Sequence, residues 1–241
     1  LVFGADAGAV AWAPASWMLP LALLSLAAGF IGVLAARRLR VLAAFGVIGS
    51  TGTLLAAVAL FDRDAVAAAL YYLPHSTLAG AILFLVADLV GRARGDLDDR
   101  LQPGRTFARR GQLSLLFLLS AIALAGLPPL SGFIGKLLIL STASASPAAP
   151  WIWGSILVTT FLAMIGLARA GSVVFWKVSA AEVRPPPGRW TTGPAWAIFA
   201  LLAMLTIFAG PATDYAAAAA GQLFAPDGYI DAVLGERRGD I

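Results

Sequence analysis

Six long apolar stretches, none with more than one charged side chain, constrain this chain more than any other feature of it. A bilayer core about 30 Å thick takes about 20 apolar residues per helix, and the runs 18–36 and 41–61 have no charge within them. The run 65–90 carries only His75 and, near its end, Asp88. Stretches 112–143, 151–176 and 190–212 complete the set, with Lys136 and Arg169 as interior cations. Hydrophobic residues make up 60% of the chain and charged residues 12%, too few charges to cover a water-facing surface. Transmembrane strands are short and alternating; these runs predict an all-α integral membrane protein. Residues 1–17 read as an extramembrane loop, with Trp12 and Trp17 as an interfacial belt, and 213–241 as a C-terminal tail. The chain does not begin with Met, which suggests a processed chain or an excised piece.

The stretch 112–143 contains Gly126-Leu127-Pro128-Pro129-Leu130-Ser131-Gly132. As two helices, each half is too short to span; as one it is about 45 Å long, too long unless its middle is unwound. Charge in the loops decides between them. If this stretch crosses once, one side collects Arg37, Arg38 and Arg40, then Arg92, Arg94, Arg100, Arg105, Arg109 and Arg110, then Lys177, Arg184 and Arg189. Apart from the tail, the other side has only Arg63. Basic loops stay on the cytoplasmic side, so the sequence predicts about six transmembrane helices, one interrupted near its middle.

Composition also removes functions. Without cysteine there is no disulfide framework, thiolate metal site or cysteine nucleophile. One histidine excludes a multi-histidine metal centre, and no cofactor motif or nucleophile–base arrangement is visible. The basic loop 92–110 almost lacks the aromatic interleaving of a nucleic-acid surface and is explained by topology. Asp96, Asp98 and Asp99 sit among arginines and read as a solvated loop rather than a metal cluster. Asp88 and Arg169, toward helix ends, are expected to pair with headgroups or with each other. Residues 185–187, three prolines, read as a stiff loop.

Three features can carry chemistry. Pro128 and Pro129 remove two backbone donors between glycines that accept irregular dihedrals. Broken backbone in a bilayer is tolerated where it is buried in protein or lines a wet cavity, so the break is either a packing kink or part of an ion path. Lys136 follows it. A lysine in an apolar helix gives up hydration, which suits proton exchange; the alternative is a stem that snorkels to the interface. Third is Tyr71-Tyr72-Leu73-Pro74-His75-Ser76-Thr77. Here His75 either relays a proton or is satisfied by a neighbouring helix, while Ser76 and Thr77 are placed to bond water or freed carbonyls.

The runs Leu70-Tyr71-Tyr72-Leu73-Pro74-His75-Ser76-Thr77-Leu78 and Leu83-Phe84-Leu85-Val86-Ala87-Asp88-Leu89 precede Ala125-Gly126-Leu127-Pro128-Pro129-Leu130-Ser131-Gly132-Phe133-Ile134-Gly135-Lys136-Leu137. Together they resemble the D-subunit of the multisubunit Mrp (Pha) monovalent cation/proton antiporters, homologous to the antiporter-like subunits of respiratory complex I. Arg38-Leu39-Arg40-Val41-Leu42-Ala43-Ala44-Phe45 and Leu167-Ala168-Arg169-Ala170-Gly171-Ser172 are similar to the same subunit. The resemblance covers about residues 17–210.

It implies a fold of about fourteen helices in two inverted repeats, of which this chain would hold the second. The glutamate and two lysines of the family's first half then have no counterpart here, so the chain is expected to be a C-terminal fragment or part of a split subunit. Lys136 would be the terminal lysine of a proton path and His75 part of its central polar axis. Ser76, Thr77, Pro128, Pro129, Ser131, Gly132 and Arg40 would support them. Complex I relatives often place a lysine a few residues after this histidine, where Ala79 and Gly80 stand here, so water would have to bridge to Lys136. The implied function is proton translocation coupled to Na+ or K+, without a cofactor. The implied setting is a multi-pass subunit of a hetero-oligomeric complex in a bacterial inner (plasma) membrane. A redox-driven subunit of complex I or a membrane-bound hydrogenase is the alternative, and a non-transporting membrane scaffold is the alternative of another class.

Overall fold

The computed structural model describes residues 13–184 and 191–225. Its helices are α1 (Ala13–Ala35), α2 (Leu39–Val58), α3 (Arg63–Arg94), α4 (Arg110–Ala125), α5 (Ser131–Ala143), α6 (Ala149–Gly171), α7 (Gly193–Ile207) and α8 (Ala209–Phe224). Two short strands, β1 (Gly104–Phe107) and β2 (Val178–Arg184), lie outside the helical bundle. The protein is thus an all-α membrane protein. Four helices, α1, α2, α3 and α6, are each long and apolar enough to cross a membrane, while α4 and α5 are too short to do so singly.

The strands show how to count the crossings. β1 precedes α4, β2 follows α6, and the two pair in parallel, Gly104 opposite Val178 and Arg105 opposite Ser179. Both loops therefore lie at one end, and an even number of crossings separates them. With α6 as one crossing, α4 and α5 together make the other. The α1–α2 turn joins the same end: Arg38 bridges Arg100, Leu39 N–H donates to the Asp99 carbonyl at 2.9 Å, and Leu101 N–H to that of Arg37 at 2.9 Å. Three basic segments thus gather on one face, as the loop charges require.

Local chemistry explains the elements. Asp62 caps α3, its carboxylate accepting from the Asp64 and Ala65 N–H groups at 3.0 and 2.9 Å. Arg92 and Arg94 sit in its last turn, against the negative end of the helix dipole. α1 and α2 approach so closely that a Cβ on Gly29 would run into the Gly49 backbone nitrogen, the close backbone contact that small residues permit in membranes.

Several expectations change. Asp88 and Arg169 do not pair with each other. Asp88 binds Arg40 at 3.3 Å and Arg92 at 2.7 Å. Arg169 donates to the Leu34 and Ala36 carbonyls at 3.0 and 2.6 Å, tying α6 to the last turn of α1. The aspartate loop is not simply solvated. Asp98 pairs with Arg40, and the Asp99 side chain, 0% exposed, accepts the Arg40 backbone N–H at 2.9 Å. The loop belongs there because its carboxylates satisfy the start of α2. Asp99→Ala leaves that buried donor unpaired, and a loss of about 1–3 kcal/mol of stability is expected, measurable as an earlier thermal unfolding transition in detergent.

The C-terminal part also departs from the reading of one straight span followed by a tail. α7 stops at Ile207, the chain bends by 79°, and α8 continues to Phe224 along α3. Pro211 in the first turn of α8, after Gly210, suits the restart, since proline is favoured at the start of a helix. Ala216 and Ala220 are buried, so the alanine-rich stretch is a packed helix face rather than part of a tail. At the other terminus α1 begins at Ala13, inside the stretch expected to be a loop. Trp12, the prolines of 185–187, Arg189 and residues 226–241 lie outside the described residues.

Candidate functional site

The proline pair divides one crossing into two half-helices. α4 ends on Gly126, whose φ of +71° is a left-handed cap that glycine adopts without strain. The Gly126 N–H reaches the Ala123 carbonyl at 2.9 Å, and Leu127 N–H the Ile122 carbonyl at 3.0 Å. Pro128 and Pro129 follow, Leu130 is extended, and α5 begins at Ser131. The Ala125 carbonyl, in the last turn of α4, has no amide to accept from within the helix.

Lys136 supplies the missing donor. Its Nζ donates to the Ala125 carbonyl at 2.8 Å and to the Thr160 hydroxyl of α6 at 2.9 Å. It also lies 5.6 Å from the centroid of the Phe30 ring of α1. The residue is 5% exposed, so the stem does not snorkel: it turns back toward the break. Its head faces the C-terminal end of α4, where the helix dipole is negative. Gly126 is required for a second reason, since a Cβ there would stand 2.7 Å from Lys136 Cδ.

His75, 1% exposed, occupies the other side of the break. Its Nδ1 and the Ser131 hydroxyl are 2.9 Å apart. Ser131 is fixed in turn, because its backbone N–H donates to the Thr206 hydroxyl on α7 at 2.9 Å. The end of α7 therefore meets the start of α5, and the two breaks lie beside each other. Gly132 and Gly135 let α3 approach: a Cβ on Gly132 would lie 2.6 Å from His75 Nε2, and one on Gly135 2.7 Å from the Tyr72 ring. Tyr72, whose ring lies 5.4 Å from that of His75, continues the polar line to Ser50 on α2 at 3.4 Å.

What the arrangement holds is two ionisable side chains, an amine and an imidazole, buried among neutral hydroxyls and carbonyls. Residues 6–166 match the family described as "NADH:quinone oxidoreductase/Mrp antiporter, TM". The chain belongs to that family. Among its relatives, a probable K(+)/H(+) antiporter D-subunit of Rhizobium meliloti is 36% identical, covering 99% of this chain and 49% of the relative. A Na(+)/H(+) antiporter D-subunit of Bacillus subtilis is 34% identical, over 91% of this chain and 44% of its own. The chain thus spans about half the length of the curated relatives it matches. In fold, it is similar to a chain of the Mrp complex from Dietzia sp. DQ12-45-1b, with a TM-score of 0.79 at 22% identity, over 92% of this chain and 49% of that one.

Within this antiporter-family chain, Lys136, His75, Ser131, Gly132 and the Pro128–Pro129 pair come together at the break. Three residues expected there do not. Thr77 is exposed and its hydroxyl bonds the Leu73 carbonyl at 3.0 Å, in its own helix. Ser76 is half-buried one position beyond His75, about 100° around the helix. Arg40 belongs to the carboxylate cluster of the basic end. The residues that sequence reasoning misses are Thr160, Thr206 and Phe30. The two threonines are isolated hydroxyls in apolar helices, and nothing in their spacing tells which face they occupy. Gly210-Pro211 is the one available signal for the second break.

Proposed function

We propose that this chain is the proton-handling half of the D-subunit of a multisubunit Na+ or K+/proton antiporter of a bacterial plasma membrane. Lys136 takes up and releases the proton, and His75, through Ser131, passes it along. The observation that supports this reading best is Lys136 itself: a buried amine whose contacts are a carbonyl and a hydroxyl, with no carboxylate among them in the described residues. A lysine locked into an ion pair gains little by losing its proton, whereas one held by neutral acceptors can give it up and keep hydrogen-bonded surroundings. His75 and Lys136 flank the same break, so two positive charges there would repel one another and a proton arriving at one favours release from the other.

In this reading the chain handles the proton alone, and coupling to the cation needs the other subunits of the complex. It is tested by measuring Na+- and K+-driven proton movement in everted vesicles containing the full-length subunit in its complex. Exchange at the wild-type rate without the Lys136 amine would end it. Thr160→Val, which removes one of the two acceptors, is expected to slow exchange at least about tenfold, in line with about 1.5–3 kcal/mol for a hydrogen bond to a charged group. Thr160→Ser is expected to restore it, and equal rates for valine and serine would take Thr160 out of the path.

A further inference from the structure

The proton path leaves a second polar concavity unused. It lies at the basic end, where the last turn of α3, strand β1 and the start of β2 meet, and encloses about 570 Å³. Arg92, Arg94, Arg105 and Lys177 line it, against one carboxylate, Asp96. Two of these cations are already engaged. Arg92 pairs with Asp88 at 2.7 Å, and Arg94 donates to the Arg100 and Gln102 carbonyls. The Arg94 Nε is nevertheless buried without a hydrogen-bond partner. Arg105 and Lys177 are exposed and, among the described residues, take part in no ion pair. Gly104 permits the crowding, since a Cβ there would lie 3.1 Å from Arg94 Nη2.

Cations that outnumber their counterions repel one another, and an anion between them relieves that repulsion while giving the orphaned Nε an acceptor. The depth of the cavity selects the kind of anion. Lys177 directly follows Trp176, 68% exposed, at the end of the α6 span, the position of an aromatic residue at the membrane–water boundary. Phe107 and Leu97 add an apolar wall. Basic pockets at this level on the cytoplasmic side suit lipid headgroups, and the volume exceeds what a lone phosphate ion fills.

We propose that this concavity binds the phosphate group of an anionic phospholipid headgroup, with Arg94, Arg105 and Lys177 as its counterions. The site is independent of the proton path. The full-length protein, purified in mild detergent and stripped of lipid, is titrated separately with phosphatidylglycerol, phosphatidylcholine and inorganic phosphate, and adducts are read by native mass spectrometry. The variant is R105Q/K177Q, whose exposed side chains make no hydrogen bond or ion pair among the described residues; Arg94 is left intact because it supports the loop. The expected result is a tight phosphatidylglycerol adduct, at least about tenfold weaker in the variant, with phosphatidylcholine binding weakly and phosphate at millimolar concentration failing to displace the lipid. Equal phosphatidylglycerol affinity in variant and wild type overturns the proposal, as does equal binding of phosphatidylcholine. If inorganic phosphate binds in a variant-sensitive manner and displaces the lipid, the ligand is a soluble anion and the lipid assignment fails.

Discussion

Lys136→Ala, placed in the full-length subunit, is expected to lower cation-coupled proton movement at least about 10²-fold, the effect of removing a positioned proton-transfer group. The protein should still fold. Alanine leaves the Ala125 carbonyl and the Thr160 hydroxyl without a shared donor, but the carbonyl lies at a break where backbone groups already depart from the helical ladder, and the hydroxyl can turn to a carbonyl of its own helix. Lys136→Arg separates two explanations of the loss. A guanidinium keeps the positive charge and can donate to the same two oxygens, yet it does not deprotonate. If the charge alone matters, the arginine variant exchanges normally. If the proton matters, it is as inactive as alanine. Vesicle assays on the pair at matched expression decide the point, and an arginine variant at the wild-type rate would remove Lys136 as a carrier.

The second large effect is structural. Gly132→Val introduces a Cβ that would stand 2.5 Å from the Ala123 carbonyl oxygen and 2.6 Å from His75 Nε2. One obstacle is backbone and the other a ring packed on two sides, so neither yields cheaply. Overpacking costs typically about 1–3 kcal/mol and occasionally more; contact with backbone places this substitution at the upper end. The variant should lose most of its monodisperse yield in size-exclusion chromatography and unfold several degrees earlier. Gly111→Ala makes the comparison. A Cβ there meets nothing within 4 Å, and alanine is the better helix former, so stability should hold or rise slightly. Equal behaviour of the two variants would show that the α4–α5 break packs more loosely against α3 than these distances imply.

How much of this is legible in sequence depends on which force sets each feature. Membrane spans are set by transfer free energy summed over about 20 residues, so α1, α2, α3 and α6 can be read from composition alone. The α4–α5 break is legible because two consecutive prolines admit no helical solution, and the count of crossings because the arginines of 92–110 and Lys177 must share a face. The 79° bend after Ile207 is set by a single Gly210-Pro211 step inside an apolar run, which hydropathy averages away. Site residues divide the same way. Lys136 and His75 stand out because charge is rare in a bilayer. Thr160 and Thr206 matter only through the helix faces they occupy, and those depend on how α6 and α7 rotate against α5. Arg40 is misplaced by sequence for the converse reason: a motif shared with relatives identifies a residue without saying which end of the molecule it serves.

The pairing of Gly104 with Val178 has a mechanical consequence. It closes a ring of chain that contains α4, α5 and α6, the helices that supply Ala125, Lys136 and Thr160. The strap fixes both ends of this ring at the basic end of the molecule, so Lys136 and Thr160 sit along the chain between that fixed seam and the turn at residues 144–148.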